Sequence, residues 1–433
     1  MKSPQADCKD FYCFQPQADR VDLPFEYPSV QPQKEVVNLH DAYERRCKAI
    51  RLRLTGAPVR QIVSEVHASE TWFYKWWGRY QCHGSAGLYD SSHRPHRVAH
   101  KTSPELESAV LHIRDRLEGH HTDQTRYSLI GAPTIRAELE ELGYHSLPAL
   151  RTIEGILQRA GRTKPRKHTL LAPPVKEYPG PKARDSNQVH QLDLVGPRYL
   201  EANPTKFYYI TVKDIFDQAG YVGVSTNRQA QTVVEVLVRA WQALGLPKVL
   251  QVDNAWEFRG SARWPRSLGK VIRLCLMLRV ELFFIPEGKP CRNGSVENRN
   301  GLLNQLFIKA QKFEDLEHIQ RELERFNEAI NTQHVHKALE YKTPFQVRQG
   351  KQFNKLEKEF EAPQHPMPIC AGKVSFIRQV RPSGRITLLG EKFQVGKRLK
   401  GQFVKATIFT KTEKLKIYLK GHIVKEWPYK LRK

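Results

Sequence analysis

The sequence predicts a multidomain protein: an all-α N-terminal region, an α/β core with a mixed sheet, and a small C-terminal β-barrel. Three observations predict it. Apolar residues recur at helical spacing from Asn38 to Gly161. Strand-like and helical runs alternate from Val189 onward. From Lys373 to Lys433, apolar and polar residues alternate between glycines. A length of 433 residues suggests about three domains. The net charge of +25, on a chain that is 40% hydrophobic, implies packed domains and a polyanionic partner, most simply nucleic acid. Residues 364–433 hold 17 Lys/Arg against 3 Asp/Glu, so more than half of the excess charge sits in the last seventy residues.

Residues 1–37 are polar, contain proline and lack periodicity, which predicts a disordered lead. Residues 38–100 carry three helical patterns. Tyr43, Cys47, Ile50 and Leu54 form one stripe, and Val59, Ile62, Val63 and Val66 a second. After a turn at His67–Ser69, Glu70–Gln81 places Trp72, Phe73, Trp76, Trp77 and Tyr80 on one face. Thr71, Tyr74, Lys75, Gly78 and Arg79 share the other, a small, polar, basic face of the kind that enters a major groove. Thr71, Lys75 and Arg79 are therefore candidate DNA contacts. Three small helices without a DNA role fit the same pattern.

Residues 101–161 hold a second helical set. Leu106, Val110, Ile113 and Leu117 line one helix; Ile135, Leu139 and Leu142 line the next; Leu150, Ile153, Leu157 and Ala160 line the last. They suit either a second helix-turn-helix or a bundle that supports the first. The basic, proline-rich stretch 162–187 contains Lys164, Arg166 and Lys167, candidate phosphate contacts on an extended chain; a solubilised linker is the alternative.

The core, residues 188–350, begins with Val189–Val195, followed by strands at Phe207–Phe216 and Tyr221–Ser225 and a helix at Gln229–Leu246. Lys248–Asp253 and Glu281–Ile285 read as further strands, with a helix between them. Gly294 then opens a helical pattern with Leu303, Leu306, Phe307 and Ala310 on one face, and Glu297 falls in its first turn. Leu316–Gln333 reads as a longer helix, with Ile319, Leu323, Phe326 and Ile330 aligned. Residues 351–370 link to the basic β-domain, 371–433.

Two aspartates end strand-like runs: Asp193 in VHQLDLV and Asp253 in KVLQVDN. With Asn293-Gly294-x-x-Glu297 they stand in an order that resembles the ribonuclease-H-like catalytic core of DDE transposases and retroviral-type integrases. Phe326-Asn-x-x-Ile-Asn331, His336-x-Ala-Leu339 and Thr343-Pro344 resemble the tail that follows this glutamate in insertion-sequence transposases. The Glu70–Gln81 helix and the connector Gly87–Pro95 resemble the helix-turn-helix domain at the front of such proteins, and the C-terminal pattern resembles their β-domain. Two departures stand out. Ala255 replaces the usual glycine, and the 44 positions from Asp253 to Glu297 exceed the usual interval, the excess falling in Arg259–Lys270.

The resemblance implies a polynucleotidyl transferase that binds element ends, cuts DNA and joins it to a target. Asp193, Asp253 and Glu297 would be its catalytic and metal-ligating residues. Three carboxylates in one pocket repel each other without a cation, and hard oxygen donors suit Mg²⁺ or Mn²⁺, here two ions. Lys289, Arg292 and Asn293, just ahead of Glu297, are further candidate DNA contacts. Double-stranded DNA, at element ends and target, is the expected partner, bound by a homo-oligomer. Two other readings stay open: a domesticated or inactive DNA-binding copy, and a ribonuclease-H-like nuclease that only hydrolyses.

The seven cysteines, Cys8, Cys13, Cys47, Cys82, Cys275, Cys291 and Cys370, are scattered and odd in number, so no disulfide framework is expected. No CxxC pair accompanies the N-terminal histidines, no GxxxxGK[ST] is present, and no signal peptide or long apolar run is visible. The expected location is the cytoplasm, on nucleoid DNA.

Overall fold

The computed structural model describes residues 39–90, 101–120, 122–163, 178–200, 205–260, 264–288 and 293–432. The lead 1–37 and most of the basic linker lie outside them. The chain divides into two compact units, Met1–His100 and Lys101–Lys433. No helix among the described residues is long and apolar enough to cross a membrane.

In the first unit, α1 (Leu39–Leu54), α2 (Val59–Glu65) and α3 (Glu70–His83) enclose Ala49, Ile50, Ile62, Val66, Phe73 and Trp76. Ser69 starts α3 by accepting the Trp72 N–H at 3.2 Å, which satisfies one of the helix's orphan donors. Arg46 is buried against the Trp76 ring, its guanidinium 3.8 Å from the ring centroid. It also reaches the Leu88 carbonyl at 2.8 Å and both Asp90 carboxylate oxygens. A charge buried in an apolar bundle needs that full set of partners.

The second unit opens with α4 (Pro104–Gly119), α5 (Ala132–Glu141) and α6 (Leu150–Arg159), packed around Val110, Ile113, Leu117, Ile135, Leu139, Ile153 and Leu157. Tyr127, between α4 and α5, is buried with the core aromatics Phe307 and Phe326, its ring centroid 5.8 and 5.4 Å from theirs. His334 Nε2 meets the Tyr127 carbonyl at 2.7 Å. The helical set is thus tied to the core through Tyr127.

Strands β1 (Val189–Tyr199), β2 (Lys206–Asp214) and β3 (Gly220–Ser225) form an antiparallel meander. β4 (Val249–Val252) runs parallel to β1, and β5 (Glu281–Phe284) parallel to β4. The side-chain period of two gives this sheet two apolar faces. Leu192, Ile210, Val212, Leu250 and Leu282 pack under α7 (Ala230–Leu244) and α9 (Lys270–Met277), with the single turn α8 (Trp256–Arg259) between these two helices in the chain. On the other face Phe207, Tyr209 and Val222 pack under α10 (Gly294–Leu303) and α11 (Leu316–Thr332). Gly223 lets α7 approach β3, since a Cβ there would stand 2.8 Å from Val236 Cγ1. The expected stripe Ile319, Leu323, Phe326 and Ile330 is buried as a unit. The stripe from Leu303 onward is not one α-helix: α10 stops at Leu303, and a π turn over Asn304–Ile308 carries Leu306 and Phe307 into the core.

The C-terminal β-barrel is corrected. β6 (Lys373–Gln379) pairs in parallel with β5, and β9 (Phe403–Phe409), β10 (Lys414–Leu419) and β11 (His422–Pro428) extend the same sheet. The result is one nine-stranded sheet in the order β11-β10-β9-β6-β5-β4-β1-β2-β3. Among the described residues only β7 (Arg385–Leu388) and β8 (Glu391–Gln394) stand apart, as a hairpin. The reason is the exposed edge of β5. A separate barrel would leave that edge unpaired, whereas β6 closes it and stacks Phe376 on Phe284 at 4.5 Å and 3°. Val374, Val404, Ala406, Ile408, Leu415 and Ile417 then join the core of Val252 and Leu282.

Candidate active site

Asp193 lies in β1 opposite Thr211, half-buried; Asp253 is the first residue beyond β4; Glu297 is exposed in the first turn of α10. These elements are neighbours because β1 and β4 are adjacent and α10 packs across β1 and β2. Burial lifts the Asp193 carboxyl to about 6, and the charges of Asp253 and Glu297 push it the same way. Of the three acids, Asp193 is the one that feels the charges of the other two. Burial also raises Asp253, with the Glu257 charge adding to it, while the Ala255 N–H donated at 2.9 Å and the nearby Arg228 oppose the shift. Glu297 is raised by burial alone.

Polar struts hold α10 over the sheet. Val296 N–H donates to Gln191 Oε1 at 3.0 Å, and Lys213 Nζ to the Ser295 carbonyl at 3.0 Å. Asn300 Nδ2 donates to Asp193 Oδ2 at 2.6 Å. Asn300 lies three residues beyond Glu297, hence on the same helix face, and that spacing was the available signal for it. Asn254 bridges the ends of β4 and β5 by donating to the Ile285 carbonyl at 2.6 Å. Arg378 of β6 reaches Asn254 Oδ1 at 3.0 Å; no local pattern in the sequence marks it.

The two departures are accommodated. Ala255 has φ −60° and ψ 151°, an extended conformation that requires no glycine. The lengthened segment is pinched at its base, where a Cβ on Gly260 would stand 2.8 Å from the Gly269 Cα, and it leads into α9 without disturbing the β4–β5 register. Residues 261–263 of it lie outside the described part.

Two of the candidate DNA contacts have structural partners instead. Asn293 is 3% exposed and donates to the Leu192 carbonyl at 3.1 Å, so it braces α10 rather than facing solvent. Arg79 donates to the Tyr89 carbonyl at 3.0 Å and lies 4.7 Å from the Trp76 ring centroid, so its guanidinium folds back on its own domain. Thr71 and Lys75 are exposed on α3. Lys164, Arg166, Lys167, Lys289 and Arg292 lie outside the described residues.

For a divalent cation, the donor set is oxygen only, and two buried amide oxygens close by, Asn293 Oδ1 and Asn300 Oδ1, have no hydrogen-bond partner among the described residues. Both features fit a hard cation. Among the described residues no three His, Cys, Asp or Glu side chains converge into a ready-made coordination group.

A mixed sheet covered on both faces by helices, with carboxylates on adjacent strands and on the facing helix, is the architecture that the sequence resemblance implies for the core, and a three-helix region precedes it in the chain. Residues 278–344 match the integrase core domain family and residues 46–108 the winged helix-turn helix family. The chain is thus similar to the integrase core domain family over 278–344 and to the winged helix-turn helix family over 46–108, though the described residues of the latter segment contain no strand. An uncharacterised 31.7 kDa protein of insertion element IS407 from Burkholderia multivorans is 25% identical over 255 residues, 55% of this chain and 85% of that protein. Among solved structures, the HTLV-2 integrase catalytic core in complex with magnesium is similar with a TM-score of 0.30 at 18% identity, over 38% of this chain and 99% of that one. A simian T-cell lymphotropic virus intasome structure gives 0.34 at 15% identity, over 68% and 93%.

Proposed function

We propose that the chain is a DNA transposase or integrase that binds element ends through its N-terminal unit and cuts and joins DNA at Asp193, Asp253 and Glu297. What supports this is their placement: Asp193 on β1, Asp253 just beyond the adjacent β4, and Glu297 on α10, which packs across β1 and ties to Asp193 through Asn300 at 2.6 Å. Burial raises the Asp193 carboxyl to about 6, with the charges of Asp253 and Glu297 adding to it, and a fold keeps a carboxylate so disfavoured where a cation or a proton offsets it.

In this reading the carboxylates of Asp193, Asp253 and Glu297 hold divalent cations. Such ions activate an attacking oxygen and stabilise a leaving one in phosphodiester transfer. The chain supplies placement. Asn300 fixes the Asp193 carboxylate, the Ala255 N–H fixes that of Asp253, and Gln191 and Lys213 hold the turn that carries Glu297. Lys75 and Thr71, exposed on α3, would read a major groove. Lys373, Lys405, Lys414 and Lys416 share one face of the extended sheet by its register; Lys414 and Lys416 pair with Glu426, and Lys373 and Lys405 suit phosphate contacts that position DNA without reading it.

The test is incubation with element-end duplexes and Mg²⁺ or Mn²⁺, scoring nicks and joined products separately. Both products support the proposal. Nicks alone make the chain a hydrolytic nuclease, and binding without either product makes it a DNA-binding protein.

A further inference from the structure

The geometry points to Arg378, on C-terminal strand β6, as a positioning residue for the catalytic carboxylate Asp253. The inference rests on the proposed role of that aspartate and assigns to the C-terminal segment a task inside the site. Arg378 is 4% exposed, and each nitrogen of its guanidinium is engaged. Nε donates to the Thr387 carbonyl at 3.0 Å and Nη1 to its neighbour Ile377 at 2.9 Å. Nη2 donates to Asn254 Oδ1 at 3.0 Å and lies 3.3 Å from Glu287 Oε1.

Those last two contacts place the arginine between the end of β4 and the loop that follows β5. Asn254 is the residue next to Asp253, and its amide is already committed to the Ile285 carbonyl. Its side chain is therefore clamped from both sides, by β5 and by Arg378. Glu287 begins the run of chain that leads to α10 and Glu297. One planar, five-donor side chain thus ties the residue next to Asp253 to the loop that follows β5, which a lysine's single ammonium cannot reproduce. A second contact supports the same assignment: Arg266, in the lengthened loop after Asp253, pairs with Glu391 of β8 through Nε at 2.7 Å and Nη2 at 3.0 Å. The C-terminal strands therefore also hold the loop that follows Asp253 in the chain.

The test compares the full chain with Arg378→Met and Arg378→Lys by two readouts. One is amide hydrogen exchange over residues 254–258 and 285–288; the other is kcat and KM for metal-dependent cutting of an element-end duplex. Without the clamp, Arg378→Met should exchange about tenfold faster in those segments, with β1 and β2 unchanged. Its kcat should fall about 10- to 100-fold while KM for DNA holds, as a displaced reacting group predicts. Arg378→Lys should fall between, and it takes over the comparison if Arg378→Met does not fold. Wild-type exchange at 254–258 in either folded variant overturns the assignment, as does a loss confined to KM, which would make Arg378 a DNA contact. If the wild-type protein cuts no DNA with either ion, the functional reading fails, while the exchange measurement still decides whether Arg378 holds the Asp253 segment.

Discussion

Asn300 donates its side-chain amide to Asp193 Oδ2 at 2.6 Å, so α10 and β1 are joined at the carboxylate whose proton affinity the site perturbs most. The bond favours the charged form of Asp193 and lowers its pKa against the larger effect of burial. Asn300→Ala should therefore move the acidic limb of the cutting profile to higher pH and leave the alkaline side in place. A pH–rate profile of the two proteins checks this, and coincident acidic limbs would remove Asn300 from the account.

Asp193 also links pH to stability. Its folded value of about 6 lies above the ordinary 3.8. The folded state therefore holds the proton more tightly, and the associated stability, complete below about pH 4, is lost as pH rises through 6. At neutral pH the buried charge opposes folding by something on the order of 2–3 kcal/mol. Asp193→Asn should accordingly raise the Tm of the metal-free protein at pH 7.5 and leave it nearly unchanged at pH 4. Adding Mg²⁺ should raise the Tm of the wild-type protein and not that of the variant. Thermal melts at the two pH values check both statements.

Recognition should separate from packing within α3. Lys75→Ala, on the exposed face, should reduce the preference for element ends over random duplex by about 1–3 kcal/mol if Lys75 pairs with a base edge. Arg79→Ala should instead lower stability, because it removes the bond to the Tyr89 carbonyl and the stack on Trp76. Trp76→Ala should cost about 3–5 kcal/mol as an emptied aromatic core site. Competition binding and circular dichroism on each variant distinguish these outcomes.

Much of this arrangement was legible in the sequence, for identifiable reasons. Strand and helix periods fix which residues face inward, so Val189–Val195, the α7 run and the Ile319–Ile330 stripe could be placed from spacing alone. The order Asp193, Asp253, Glu297 marked the candidate site before any geometry. Strand partners were not legible. Alternation in Phe403–Phe409 says that a strand exists, but not that β6 will pair with β5. Arg79 reads as a free cation on a helical wheel, and only the fold brings the Tyr89 carbonyl within its reach. Arg378 is 125 residues from Asp253, and no short-range rule connects them.

The continuous sheet changes what a truncation does. Deleting residues 373–433 should not give an intact core with weaker DNA binding. It should unpair β5 and strip Phe376, Ile408 and Tyr429 from a shared core. The truncated chain should be insoluble or unfold without cooperativity, as solubility and a denaturant titration would report. A soluble truncation with a cooperative transition would mean the C-terminal strands are separable after all.

The central claim is that Asp193, Asp253 and Glu297 act together on DNA. The most direct measurement is cutting and joining of an element-end duplex, with Mg²⁺ or Mn²⁺, by the wild-type chain and by Asp193→Asn, Asp253→Asn and Glu297→Gln. Each change removes a charge and keeps the side chain's volume, so folding and DNA binding should persist in all three. Every one of the three should lose both products, by about a thousandfold or more where a principal stabilising group is removed. Full activity in any folded variant would contradict it.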